Sequence, residues 1–149
     1  MKTLLLLVAI LFAVGPARGE EPKEVRELAA AYKKLVNEKN YDEVIEACLC
    51  TERVSPEILK KTRDFLEFGI TIQSFEVEAA TEEDEEEYKT DVDAGDLGLL
   101  RPNQKPEWFI VFSCDGSGDT PPSTQRLGVG RSGEEWLIPI LAPINGEQE

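Results

Sequence analysis

The chain has 149 residues, with 30 acidic side chains against 16 basic ones, a formal net charge of −14 and no histidine. Phosphate binding rests on clustered cations that this composition lacks, which argues against nucleic acid as a partner. The missing imidazole removes the Ser/His/Asp and Cys/His nucleophilic systems and the usual ligands of catalytic zinc. A composition of 41% hydrophobic and 31% charged residues is that of a globular chain, and the length suits one domain with a single core.

In chain order, residues 1–19 read as a cleavable signal peptide. Lys2 gives a positive start, Leu4 to Val14 is unbroken apolar sequence, and Ala17-Arg18-Gly19 places small residues where a signal peptidase reads them. Gly15, Pro16 and Arg18 end the apolar run short of the roughly 20 residues a membrane span requires. The expectation is therefore a single domain, residues 20–149, with no integral membrane segment. The first cysteine is Cys48, so there is no lipobox, and the product is expected to be secreted or periplasmic, in an oxidising space.

From Glu21 to about Asn37, Val25, Leu28, Tyr32, Leu35 and Val36 recur at helical spacing behind Pro22, with Glu20, Glu21 and Glu24 near the positive end of the dipole. Asp42 is the expected cap of a short second helix carrying Val44, Ile45, Cys48 and Leu49 on one face. Ser55-Pro56 opens a third, with Ile58, Leu59, Thr62, Phe65 and Leu66 inward and Gly69 as its C-terminal cap. Three helices are thus expected ahead of every strand.

Beyond Gly69 the apolar period changes to two. Gln73 to Ala80 and Glu86 to Asp93 are predicted to pair as a hairpin with a charged outer face. Gly95 to Pro106 reads as a loop exposing Leu97, Leu99 and Leu100, and Trp108 to Cys114 as a central strand buried on both faces. Gln125 to Gly130 and Glu135 to Leu141 follow as strands around a tight turn at Arg131 to Gly133. Pro139 cannot donate to a ladder, which pushes the last strand toward an edge, an end or a bulge.

An odd cysteine count leaves at least one thiol free or paired with another chain. Cys48 and Cys50 flank a single residue and would strain a bond between them, so Cys114 is the expected partner of one or the other. The spacing does not match a zinc site, and the three are expected to behave mainly as buried small hydrophobes.

Helices followed by antiparallel strands predict an α+β domain with helices covering one face of a curved sheet. That order, with the closing sequence Gln125-Arg-Leu-Gly-Val-Gly-Arg-Ser-Gly-Glu-Glu-Trp-Leu-Ile-Pro-Ile140, resembles the nuclear transport factor 2-like, or cone-shaped α+β, superfamily. A cystatin-like arrangement of one helix wrapped by a sheet is the alternative. The resemblance implies a conical cavity between the first helix and the concave face of the sheet. Enzymatic relatives such as ketosteroid isomerases and polyketide cyclases place an acid/base carboxylate and a tyrosine there. Tyr32 is the phenol so placed by spacing, but Glu76, Glu78, Glu87 and Asp91 alternate outward, and no carboxylate reaches a predicted inward position.

No catalytic residue is therefore assigned, and nothing in the sequence implies a cofactor. Tyr32, Phe68, Trp108 and Trp136 are the candidates for lining a pocket. Glu82 to Glu87 is a run of six acids followed by Asp91, Asp93 and Asp96, a weak candidate for a divalent cation that departs from the EF-hand pattern. A solvated charged face that resists edge-to-edge pairing is the plainer account. The Asp115-Gly-Ser-Gly-Asp119 loop has ordinary turn residues. The expectation is a non-enzymatic binding module for a small molecule or protein, with Leu97, Leu99 and Leu100 either exposed as a surface for a homodimer or folded back over the sheet. An isomerase-like enzyme using Tyr32 and an acidic cation-binding surface protein are the alternatives.

Overall fold

The computed structural model describes residues 21–67, 70–116 and 121–143. The leader 1–19, Phe68, the Gly69 cap and most of the Asp115–Asp119 loop lie outside the described residues. Helix α1 (Lys23–Asn37) buries Val25, Leu28, Ala29, Tyr32 and Val36 on one face, as its spacing predicts. It ends in a Schellman turn: the Asn40 N–H donates to Leu35 O and the Lys39 N–H to Val36 O. Lys39 occupies the left-handed position usually given to glycine, at φ 61°.

Helix α2 (Tyr41–Cys48) starts one residue ahead of the expected Asp42 cap, and Asn40 stands at its N-cap without a side-chain bond. Asp42 instead accepts a hydrogen bond from Arg63 Nε at 2.9 Å. Strand β1 (Leu49–Cys50) follows directly, so a strand precedes the third helix, contrary to the expected order. Helix α3 (Pro56–Leu66) opens as predicted: Ser55 Oγ accepts from the Ile58 N–H and Pro56 occupies the first turn.

The larger correction concerns the acidic run. Strand β2 (Thr71–Ala79) forms, but its expected partner does not, because Glu82–Tyr88 is a helix, α4. Thr81 and Asp84 close a capping box over its first turn, where Glu82, Glu83, Asp84 and Glu85 meet the positive end of the dipole. Those local terms outweigh the two-residue alternation of Tyr88, Thr90 and Val92. Only Val92–Asp93 remains as strand β3.

The predicted loop 95–106 also contains structure. A 3-10 turn (Gly95–Leu97) leads into β4 (Leu99–Pro102). Strands β5 (Trp108–Asp115), β6 (Ser123–Ser132), β7 (Glu135–Pro139) and β8 (Leu141–Pro143) complete the chain. Five strands form a mixed sheet in the order β1-β7-β6-β5-β2, with β1 parallel to β7 and the other pairs antiparallel. β3, β4 and β8 form a small antiparallel sheet. The fold is therefore α+β with two open sheets.

β5 is not buried on both faces. Trp108, Ile110, Phe112 and Cys114 point into the core, while Phe109 and Val111 are half-covered and Ser113 is exposed. Pro139 ends β7, where the chain steps from the large sheet to the small one. Asn103 holds that step together. Its side-chain N–H groups donate to Cys50 O and Glu52 O at 2.9 and 3.0 Å. Its side-chain oxygen accepts from the Ile140 N–H at 3.1 Å, and its own N–H donates to Ile140 O at 3.0 Å.

The free border of the large sheet has its own device. Asn37, at the end of α1, accepts from the Ile72 N–H at 2.8 Å and donates to Ile72 O at 2.9 Å. This is the two-bond exchange that a neighbouring strand would make, and it sits beside the register shift between Ile72 and Ser74.

Candidate functional site

The space between α1 and the sheet is filled around Tyr32. Its ring stacks on Phe112 with centroids 5.0 Å apart and planes inclined by 29°, and Phe75 meets Phe112 edge-on at 6.1 Å. Tyr32 is 3% exposed and Phe112 is completely buried. Burial, reinforced by the nearby Cys48 and Cys114 thiols, pushes the Tyr32 hydroxyl well above the ordinary phenol range. Trp108 belongs to the same core, and Trp136 packs against it half-buried, with the Arg131 guanidinium 4.8 Å from its ring centroid. Of the expected pocket residues, Tyr32, Trp108 and Trp136 thus share one core cluster, and Phe68 lies outside the described residues.

Cys48 and Cys114 belong to the same core, and Cys50 is buried at the end of β1. Cys48, Cys50 and Cys114 are all buried and all free, so the expected disulfide is not formed. Burial, and secondarily Glu43, pushes the Cys48 thiol up to about 11. Burial also raises Cys50 and Cys114, which gives all three a low thiolate population at neutral pH.

The proton affinities of Asp42 and Asp84 are both displaced downward. Asp42 is lowered by its hydrogen bond from Arg63. Asp84 is the buried one, lowered to about 2 chiefly by the hydrogen bonds of Arg126 and further by those of Thr81. Arg126 grips both Asp84 oxygens at 2.9 and 3.0 Å, adds a bond from Nε to Glu78 at 2.9 Å, and lies 3.7 Å over the Phe109 ring. This cluster pins α4 to the outer face of the sheet.

The weak cation candidates do not converge. Asp91 pairs with Arg101 at 2.6 Å, and Asp93 accepts from the Gly95 N–H at 3.0 Å. Asp96 lies in the neighbouring 3-10 turn. Among the described residues, no group of three Cys, Asp or Glu side chains could hold a metal ion.

An apolar groove opens on the other side of the molecule. Ile58, Lys61, Thr62 and Phe65 form one wall, on α3; Leu97 from the 3-10 turn, Leu100 from β4 and Ile140 and Leu141 from the β7–β8 step form the other. Its volume is about 370 Å³, within the range of small-molecule sites. A depression of about 360 Å³ beside Ala30, Lys33, Lys34, Asn37, Glu38 and Phe75 is more polar, and one of about 190 Å³ lies beneath α4. The groove brings Leu97 and Leu100 together, but of the three leucines expected to be exposed only Leu99 is, at 50%; Leu97 is half-buried and Leu100, at 3%, is buried where β4 pairs with β8. Ile58, Thr62 and Phe65 had the spacing of a core stripe, yet Phe65 is 56% exposed. No local signal in the sequence places residues 97–100 opposite α3.

No family model, curated protein or solved structure matches the chain. Among the described residues, no helix is long and apolar enough to cross a membrane.

Proposed function

We propose that this chain is an exported, non-enzymatic binding module that takes an apolar small molecule in the groove between α3 and the small sheet. One observation carries the reading: apolar side chains line an open volume of about 370 Å³ there, whereas Tyr32 and Phe112 occupy the space between α1 and the large sheet. The apolar leader ending at Gly19 supports export. The order of helices, with α1 across the sheet and a Trp-bearing hairpin at its end, supports a cone-shaped nuclear transport factor 2-like ancestry in which the ligand has left the cone for an outer groove.

Titration with an environment-sensitive apolar dye tests the site. The chain is expected to brighten the dye saturably, and Phe65→Glu, which places a charge in the wall at an already exposed position, is expected to weaken binding about tenfold or more. Dye binding that ignores Phe65→Glu would rule out the groove.

A further inference from the structure

One wall of the groove breaks its own pattern. Ile58, Lys61, Thr62 and Phe65 are spaced as a helical stripe that normally packs apolar against a core, yet a lysine stands at its second position. Thr62 satisfies its hydroxyl by donating to Ile58 O at 2.8 Å. The neighbouring cations are neutralised: Lys60 pairs with Asp64 at 3.0 Å, and Arg63 pairs with Asp42 at 2.9 Å and with Glu67. Lys61 is exposed, and among the described residues no carboxylate comes within ion-pair distance of its ammonium, although the chain carries 30 acidic side chains. Among the described residues the groove therefore offers an apolar surface with one cation, Lys61, that is not in an ion pair.

We propose that the groove binds a free single-chain carboxylic acid, its hydrocarbon tail along Ile58, Phe65, Leu97, Leu100, Ile140 and Leu141 and its carboxylate at Lys61. This rests on the groove being the binding site. A lysine stem can lie along an apolar wall while its ammonium reaches water, the geometry an amphiphile's head and tail require. Each methylene moved out of water tightens binding by about fourfold. An exposed ammonium–carboxylate pair adds up to about fivefold at low ionic strength.

The test compares dodecanoate with dodecanol, both below their aggregation limits, by displacement of the apolar dye in low-salt buffer. Dodecanoate is expected to bind about fivefold more tightly than dodecanol, with the gap closing as salt rises. Lys61→Gln is expected to remove the difference between acid and alcohol, and Phe65→Glu to weaken both ligands. Equal affinity for acid and alcohol, with both lost in Phe65→Glu, would overturn the carboxylate assignment and leave the groove standing. Failure of dodecanoate alone would overturn the carboxylate assignment, and failure of both ligands to displace dye, or displacement indifferent to Phe65→Glu, would overturn both. A concentration-dependent dimer dispersed by Phe65→Glu would give the groove to a second copy and overturn the proposal.

Discussion

Two apolar regions of this molecule differ in whether their walls match. Between α1 and the large sheet, Val25, Ile110, Phe112 and Val129 are all completely buried, and rings interlock across the interface. Between α3 and the small sheet, comparable side chains face each other across a gap, and Phe65 stays more than half exposed. What separates them is that α1 lies against nine-residue β2 and its neighbour β5, while α3 faces short strands that end before they can fill the space. Large aromatics therefore mark the place where binding energy has already been used for folding, and the groove marks where a ligand can still add to it.

The widest contrast should come from the two phenylalanines. Phe112→Ala is expected to cost about 3–5 kcal/mol in chemical denaturation because it opens a cavity under Tyr32, whereas Phe65→Ala should stay within about 0.5 kcal/mol as an exposed substitution. Similar costs at the two positions would break the comparison.

Asn103→Ala comes next. It leaves the Cys50 and Glu52 carbonyls and the Ile140 N–H without their partner, with an expected cost of about 2–3 kcal/mol. Hydrogen exchange should speed up first in β4 and β8 and leave β5 protected; equal loss in β5 would show the two sheets opening as one unit.

A smaller effect follows from acid. Because Asp84 is held at about 2, below its ordinary value of 3.8, its contribution is complete above pH 4 and disappears as pH falls through 2. The expected loss is about 1–2 kcal/mol, tempered by the solvent exposure of Arg126, and Asp84→Asn should flatten that part of a stability–pH curve. The least change is expected from Lys39→Gly. Glycine adopts the left-handed turn after α1 without strain, and thermal denaturation should show a gain of no more than about 1 kcal/mol.

The legible parts of the fold were those written in neighbouring residues. The α1 stripe, the Ser55-Pro56 start of α3 and the strands on either side of Gly133 all follow from local spacing and turn chemistry. The Glu82–Tyr88 helix is masked in the sequence by the alternation of Tyr88, Thr90 and Val92, which reads as a strand over Glu86 to Asp93, whereas the two reciprocal bonds of Thr81 and Asp84 set the helix in place. β4 escaped notice because its partners, β3 and β8, are only two and three residues long. At the candidate site, Leu97 and Leu100 were recognisable as unusual apolar residues. The meaning of Lys61 was not, because a lysine on a helix is ordinary until the strands opposite it are known.

Asn37 carries a consequence beyond the hydrogen bonds it makes. The outer strand of a sheet is a template on which stray chains can grow, and growth needs a first pair of open rungs. At Ile72 those rungs are already occupied by a side chain that cannot extend the lattice. Farther along, the exposed Glu76 confronts any incoming copy with its own charge. A single amide thus makes this end of the sheet a terminus, a safeguard against fibre growth that acts even where the protein is concentrated.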